Sequence, residues 1–206
     1  MSQLNIFGGE DEPPRNEELD QFWTDPNVAA WFIWWSNLAG VRTVLEPSAG
    51  TGSLLRRIPA PIEIVAFELD PYRAKKTSAE TNRLVRQADF LVVEPGKVDL
   101  VLMNPPYKKV QEHVERAFLW SGRVCGILKS HFENGGVDRR SFWKKYRISR
   151  KANLRPRPPF GDVKDLFSDF AFFELERRQT RATRFSPCTV EVSWINWREP
   201  APPPFP

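Results

Sequence analysis

Residues 43–55 read TVLEPSAGTGSLL: a short apolar run, a turn with two glycines, and the start of a helix-like segment. A strand that ends in such a turn and opens a helix directs backbone N–H groups and the helix dipole towards a ligand. Gly50 and Gly52 have no Cβ, so the backbone can approach that ligand closely. Two glycines also occur in turns that bind nothing, and the pattern of a phosphate-binding P-loop is absent. The stretch therefore predicts the first strand of an α/β sheet and a candidate binding loop.

Further apolar runs alternate with helix-like segments after this loop. The runs predict buried strands at residues 63–69, 98–104 and 123–129. Helices are predicted at residues 52–57, 71–85 and 110–120. This alternation is typical of a mostly parallel sheet with helices on both faces. Two later runs without a helix between them, residues 169–176 and 189–197, predict a terminal antiparallel hairpin.

The composition excludes several classes of protein. Of the 206 residues, 41% are hydrophobic and 27% are charged, which is close to the globular average. No apolar run approaches the roughly 20 residues that cross a membrane. Cys125 and Cys188 are the only cysteines, and neither has a second Cys or a His at metal-ligand spacing, so no disulfide framework and no metal site are predicted. We expect a soluble, cytoplasmic protein.

Three regions are expected along the chain. Residues 1–20 are polar and acidic and predict a flexible arm, and residues 21–199 predict the folded domain. Residues 200–206 are mostly proline and predict an extended tail. Within the domain, residues 131–165 are expected to form a basic insertion that contacts nucleic acid.

This insertion holds much of the positive charge. The net charge is +4, yet residues 1–106 carry 10 Lys and Arg against 15 Asp and Glu. The candidate nucleic-acid contacts are Arg139, Arg140, Lys144, Lys145, Arg147, Arg150, Lys151, Arg155 and Arg157. Aromatic residues lie between them, and this pattern suits a polyphosphate, because cations displace its counterions while rings stack on bases. A solvated charged face is the alternative interpretation.

Acidic residues follow two later strands. The motif FELDP ends the second strand, and its Glu68 is placed to accept both hydroxyls of a ribose. The motif QADFL closes a third strand, where Asp89 could accept from an exocyclic amine and Phe90 could pack on a purine. Structural interpretations exist for each: Asp70 suits a helix N-cap, Asp89 a loop acid and Phe90 a core aromatic. Ligands of such sheets bind at the carboxyl ends of strands, which favours a nucleoside site here.

The fourth strand ends in NPPY at residues 104–107. Two consecutive prolines fit neither a strand ladder nor a helix, so the chain forms a rigid extended corner that holds the Pro105 carbonyl outward. Asn104 adds an amide oxygen and Tyr107 a flat ring. Two acceptors beside a ring suit a planar amino group on a conjugated ring; the alternative is a plain structural turn. The candidate catalytic residues are Asn104, Pro105, Pro106 and Tyr107.

Together these motifs resemble the S-adenosylmethionine-dependent amino (adenine-N6) DNA methyltransferases, in the subclass whose cofactor loop precedes the catalytic motif. FWTDP, EPSAGTG, FELDP, ADF and NPPY occur in the order of that subclass. The resemblance covers residues 20–130 closely and residues 157–177 more loosely. It implies a Rossmann-like class I methyltransferase fold, in which a mostly parallel seven-stranded sheet has helices on both faces and a C-terminal antiparallel hairpin.

The resemblance also implies which residues bind S-adenosylmethionine. Thr24 would contact the methionine carboxylate and Glu46 the methionine amino group. Glu68 would bind the ribose and Asp89 the adenine amine. The full set of cofactor-binding residues is Thr24, Glu46, Pro47, Ser48, Ala49, Gly50, Gly52, Glu68, Asp89 and Phe90.

For the reaction, the resemblance implies direct in-line methyl transfer to the exocyclic N6 amine of adenine in DNA. Asn104 and the Pro105 carbonyl would hold the target amine and stabilise its developing positive charge. The nucleotide has to be rotated out of the duplex, and Tyr107 and Phe160 would stack on its base. No metal is expected to take part.

Two alternatives stay open. The same chemistry could act on adenine in RNA or on a glutamine amide in a protein, although the basic insertion favours nucleic acid. The chain could also be a non-catalytic nucleic-acid-binding module on a methyltransferase fold, although Asn104, Tyr107 and the glycine loop are intact.

Overall fold

Eight strands form one mixed sheet in the part of the chain that the computed structural model describes, residues 23–134, 139–158, 169–178 and 191–203. The strands are β1 Thr43–Glu46, β2 Glu63–Glu68, β3 Val85–Gln87, β4 Leu100–Met103, β5 Arg123–Lys129, β6 Tyr146–Arg155, β7 Phe170–Arg177 and β8 Glu191–Asn196. Their order across the sheet is β3-β2-β1-β4-β5-β7-β6-β8. Strands β1 to β5 are parallel, and β7 runs antiparallel to both of its neighbours.

Helices cover both faces of this sheet. They are α1 Pro26–Trp35, α2 Pro71–Thr81, α3 Val110–Ala117 and α4 Arg140–Lys145. Helices α1 and α2 pack into the core on one face, and α3 and α4 pack into the core on the other. None of the helices in the described ranges is long and apolar enough to cross a membrane.

Local sequence explains where the helices begin and end. The Asp25 carboxylate accepts a hydrogen bond from the Asn27 N–H at 2.7 Å, and the Asp70 carboxylate accepts one from the Arg73 N–H at 3.1 Å. Both aspartates are therefore N-caps. Helix α2 ends earlier than residue 85, because Asn82 takes a left-handed conformation with φ of +51°. The helix predicted at residues 52–57 is only a 3₁₀ turn at Leu55–Arg57.

The predicted mostly parallel sheet with helices on both faces and an antiparallel hairpin is confirmed, but the sheet has eight strands instead of the predicted seven, and the hairpin consists of β6 and β7. Strand β8 does not pair with β7; it lies parallel to β6 at the edge of the sheet. The burial of each strand explains the difference. Residues 170–175 of β7 are all buried, which suits an interior strand, whereas Ile195 is the one buried residue of β8, which suits an edge.

Part of the expected basic insertion therefore belongs to the sheet. Residues 140–145 form α4 and residues 146–155 form β6, an interior strand between β7 and β8. The expected acidic arm at residues 1–20 lies outside the described residues. Of the expected tail, residues 200–203 have no regular structure.

Candidate active site

The carboxyl ends of β1, β2 and β4 meet at one cleft beside the short strand β3. Most of the residues predicted to bind a cofactor or to act in catalysis line it: Pro47, Ser48, Gly50, Glu68, Asp89, Phe90, Asn104, Pro105 and Pro106. A smaller pocket adjoins the cleft and is lined by Thr24, Glu46, Ser48, Ala49, Gly50 and Asn104, among others. Asn104 borders both spaces. Neither space is lined by Gly52 or Tyr107.

Glu68 fixes the shape of the glycine loop. Its buried carboxylate accepts hydrogen bonds from the Gly50 N–H at 2.7 Å and from the Asp70 N–H at 3.0 Å. The Gly50 carbonyl in turn accepts from the Thr77 hydroxyl at 2.6 Å. Gly50 has φ of +53°, a conformation that favours glycine. Each carboxylate oxygen of Glu68 can accept a further hydrogen bond, so it can hold the loop and still bind a hydroxyl in the cleft.

Gly52 faces helix α2 rather than the cleft. Its φ is +77°, and an added Cβ would lie 2.7 Å from the methyl group of Thr81 and 2.8 Å from that of Thr77. The glycine is needed because the loop packs closely on this helix. The prediction that Gly52 contacts a cofactor is therefore not supported by its position.

Replacing Gly52 with alanine should consequently destabilise the fold. We expect a loss of about 1–3 kcal/mol in the free energy of unfolding, measured by urea denaturation, because the new methyl group overlaps two threonine side chains. Gly40 is the matched control: its φ is +76°, but nothing lies within 4 Å of an added Cβ. If Gly40→Ala and Gly52→Ala lost the same stability, backbone strain alone would account for the effect and close packing on α2 would not.

Glu46 is a buried acid that borders the smaller pocket. Its side chain is 2% exposed, and its Oε2 atom has no hydrogen-bond partner among the described residues. Burial raises the pKa of Glu46 well above its usual value, and the negative charge of Glu68 raises it further. The carboxyl group borders the smaller pocket, so a cationic group placed there would favour the ionised form.

The Asn104 amide is held in a fixed orientation. Its Nδ2 donates to the Thr24 hydroxyl at 2.9 Å, and its Oδ1 accepts from the Tyr107 hydroxyl at 2.8 Å. An amide oxygen has a second lone pair, so Oδ1 can accept one more hydrogen bond. Thr24 was predicted to contact the cofactor; the structure adds a direct contact between Thr24 and the candidate catalytic residue.

The ring of Tyr107 is less accessible than the sequence suggests. Tyr107 is only 9% exposed and packs on Phe170, with ring centroids 5.3 Å apart. The Lys129 ammonium lies 5.3 Å from the same ring. In this arrangement Tyr107 positions Asn104 and does not present an open face for base stacking. The other predicted stacking residue, Phe160, lies outside the described residues.

Asp89 and Phe90 lie at the far wall of the cleft. The Asp89 carboxylate accepts from the Leu91 N–H at 2.8 Å and remains partly exposed. Phe90 is buried and packs beside His113, with ring centroids 5.8 Å apart. Burial lowers the pKa of His113 below its usual value, and its Nδ1 lies 2.9 Å from the Lys109 carbonyl. This wall combines an aromatic ring, an imidazole and one acidic group, which suits a neutral heterocycle that carries an amino group.

Some cleft residues were not predicted to contribute. Trp23 lines both spaces, and the guanidinium of the buried Arg73 lies 4.1 Å from the centroid of its ring. Trp23 belongs to the FWTDP motif, which could have indicated it. His113 reaches the cleft from α3, and nothing in the sequence pattern marks it. No group of three or more His, Cys, Asp or Glu side chains suited to a metal occurs in the described part of the chain.

The predicted nucleic-acid contacts differ in exposure. Exposed side chains on α4, on β6 and beyond it are Arg140, Lys144, Lys145, Arg147, Arg155 and Arg157. Lys151 is only 8% exposed, and its ammonium lies 2.5 Å from the Glu133 carboxylate. Arg150 lies 3.2 Å from Glu174 and donates to the Trp35 carbonyl at 2.7 Å. Arg139, partly exposed, donates to the Phe132 carbonyl at 2.6 Å.

Lys151 and Arg150 therefore pair with carboxylates of the protein itself, because β6 is an interior strand with acidic neighbours. Their contact with nucleic acid stays a prediction that these ion pairs do not favour. The continuous basic run of the sequence does not form one continuous basic face.

Comparison with known proteins places this architecture among methyltransferases. No family model and no curated protein matches the sequence. A protein of Pyrococcus horikoshii assigned to the RNA methyltransferases has a similar structure, with a TM-score of 0.68 and 18% identity over 84% of this chain and 93% of that one. The methyltransferase subunit of a type I restriction-modification system from Streptococcus thermophilus gives a TM-score of 0.62 and 18% identity, over 80% of this chain and 47% of that one. The 23S rRNA methyltransferase ErmE gives a TM-score of 0.56 and 22% identity, over 77% of this chain and 70% of that one.

These similarities define the class of the fold, which is that of the Rossmann-like methyltransferases. The structural neighbours include methyltransferases named for RNA and subunits of restriction-modification systems.

Proposed function

We propose that this protein transfers a methyl group from S-adenosylmethionine to the exocyclic N6 amine of adenine in nucleic acid, with DNA as the preferred substrate. The observation that carries the proposal is the position of Asn104. Its amide borders both the cleft and the smaller pocket, and two hydrogen bonds fix its orientation there.

The residues around the two spaces fit S-adenosylmethionine. The unpartnered Oε2 of Glu46 suits the ammonium group of the methionine moiety. Glu68, Asp89 and Phe90 all line the cleft, where Glu68 would bind the ribose hydroxyls and Asp89 and Phe90 would contact the adenine ring. When bound, the cofactor supplies an electrophilic sulfonium methyl group.

The chain's own residues would then prepare the target amine. The nitrogen is a poor nucleophile because its lone pair is delocalised into the purine ring. Hydrogen bonds from the amine to Asn104 Oδ1 and to the Pro105 carbonyl favour a pyramidal nitrogen and stabilise the charge that develops on it. Holding this nitrogen at the border of the two spaces provides the proximity on which a direct transfer depends.

We expect the affinity for the cofactor to depend on pH, because Glu46 borders the pocket and can gain or lose a proton. Burial raises the pKa of Glu46 in the free protein, whereas the cofactor's ammonium group favours the ionised carboxylate, so binding to the protonated form releases a proton. Affinity should therefore rise as the pH increases from the usual carboxyl range towards the raised pKa of Glu46, by at most about tenfold per pH unit. Calorimetry at several pH values, in buffers with different ionisation enthalpies, measures both the affinity and the proton release.

Glu46→Gln provides the control for this experiment. The amide has nearly the same shape and cannot ionise, so cofactor binding should be weaker and its dependence on pH much smaller. A pH profile that is the same for Glu46→Gln and for the natural protein would show that another group titrates.

Adenine in RNA is the second candidate substrate, and the RNA methyltransferases among the structural neighbours favour it. Transfer of label from S-adenosylmethionine to DNA, to RNA and to protein, tested side by side, decides between the substrates. Incorporation into DNA adenine supports the proposal, and incorporation into RNA alone would replace it. Binding of nucleic acid without incorporation into any of them would favour the non-catalytic module.

A further inference from the structure

The edge strand β8 exposes a tryptophan on one of its faces. Trp194 is 62% exposed and Val192 is 56% exposed, whereas Ile195 on the opposite face is buried in the core. No helix covers the exposed face within the described residues, and no described strand pairs with the outer edge of β8. A large aromatic side chain at such a position requires an explanation.

The end of β8 that carries Trp194 lies at the carboxyl-terminal edge of the parallel strands, where the candidate active site is also found. Strands β6 and β8 run in the same direction as β4 and β5, so all four end at that edge. Four strand spacings separate β4 from β8, which is about 19 Å. The contact between Tyr107 and Phe170 joins the start of β7 to the NPPY corner. Trp194, near the end of β8, therefore lies towards the same edge of the sheet as Asn104.

The groups around Trp194 suit a nucleic acid. The Arg155 guanidinium lies 5.1 Å from the centroid of the Trp194 ring. Arg155 and Arg157 lie 3.8 Å and 3.3 Å from the same Asp169 carboxylate, which brings the two guanidinium groups together beside the ring. These ion pairs are exposed and therefore weak, and a phosphate can replace the carboxylate at little cost.

The position of the acidic residue of β8 and the small apolar area of this strand are also consistent with nucleic acid as the partner. Glu191, the exposed acid of β8, lies at the opposite end of the strand, where it pairs with Arg150 at 3.8 Å. The exposed apolar surface of the described strand consists of Val192 and Trp194, which is small for a stable protein–protein interface.

We infer that Trp194 is a stacking platform for a base of the substrate strand several nucleotides from the target adenine, and that Arg155 and Arg157 bind the adjoining phosphates. The inference rests on the proposed function for its choice of partner. Stacking of bases on exposed rings beside basic groups is typical of proteins that bind single-stranded nucleic acid.

The test uses the full chain and a fluorescently labelled single-stranded oligodeoxynucleotide with one central adenine, measured by anisotropy at low salt. Trp194→Ala should weaken binding about 5- to 100-fold, and Trp194→Phe should keep most of the affinity because it retains a ring. Leu84→Ala is the matched control, since Leu84 is 68% exposed and lies just before β3, at the other end of the sheet. It should not change the affinity.

The length of the oligonucleotide provides a second readout. Four strand spacings correspond to about six base steps of 3.4 Å, so the effect of Trp194→Ala should disappear when the adenine has only one or two neighbours on each side. Unchanged affinity of Trp194→Ala for the long oligonucleotide would overturn the inference. The inference would also be overturned if light scattering showed that Trp194→Ala converts a dimer to a monomer while the affinity for the oligonucleotide stays the same. The exposed face of β8 would then bind a second copy of the chain.

Failure of the proposed function gives a different result. If the natural protein binds the oligonucleotide through Trp194 but incorporates no label, the stacking platform is supported and the proposed methyl transfer is contradicted. Equal affinity of S-adenosylmethionine for Trp194→Ala and for the natural protein shows that the variant is folded.

Discussion

Asn104→Ala should lower the rate of methyl transfer by at least about 100-fold, because the variant lacks the side-chain acceptor for the target amine. Its affinity for S-adenosylmethionine should fall far less than the rate, because the main cofactor contacts are assigned to other residues and Asn104 affects them only through its hydrogen bond to Thr24. Single-turnover transfer of label to an adenine-containing substrate measures the rate, and calorimetry measures the affinity. The combination separates a catalytic role from a role in binding.

A second variant controls for the hydrogen bond that Asn104 makes to Tyr107. Tyr107→Phe removes the hydroxyl but keeps the ring that packs on Phe170, so it should slow transfer by less than Asn104→Ala does. Near-normal turnover by Asn104→Ala would make the NPPY corner a structural turn. The proposed function would then lose its main support.

Glu174→Ala should cost about 3–5 kcal/mol of the free energy of unfolding, the loss typical of breaking a buried ion pair. The buried Glu174 carboxylate lies 2.5 Å from the Arg123 guanidinium and 3.2 Å from that of Arg150. These two arginines also donate to the carbonyls of Trp35 and Asn37 at the end of α1. Removing the carboxylate leaves two poorly hydrated cations and loosens the attachment of α1 to the sheet. Urea denaturation measures the loss.

The neighbouring acid on the same strand provides the control. Glu176 pairs with Arg147 at 2.8 Å, but both side chains are about a third exposed or more, so Glu176→Ala should cost at most about 1 kcal/mol. Similar losses for the two variants would mean that burial of the Glu174 pair adds nothing to stability. A selective loss for Glu174→Ala would also support the structural role of Arg150.

Those parts of the fold that depend on local sequence could be predicted. Strands β1, β2, β4 and β5 are short apolar runs with breaks on either side, so their pattern alone identifies them. Strand β6 could not be found in this way, because YRISRKANLR looks like a basic surface segment. Its cations are accommodated by Glu133, Glu174 and Glu176, which come from distant parts of the chain.

The candidate site also has parts that the local sequence predicts and parts that depend on distant contacts. The cleft residues Glu68 and Asn104 directly follow or end strands, and the parallel sheet brings them together as expected. The burial of Tyr107 depends on Phe170, and the orientation of Gly52 depends on two threonines of α2. Contacts of this kind arise from tertiary packing, and no short motif contains them.

The position of β7 also has a consequence for biosynthesis. Strand β7 lies between β5 and β6 in the sheet, although it is synthesised after both of them. Until β7 emerges from the ribosome, the apolar β5 keeps an open edge, and such edges promote aggregation of nascent chains. Pairing of β5 with β7 joins residues that are more than 40 positions apart, which slows folding. A nascent chain that ends before residue 170 should therefore depend on chaperones that bind unpaired apolar strands.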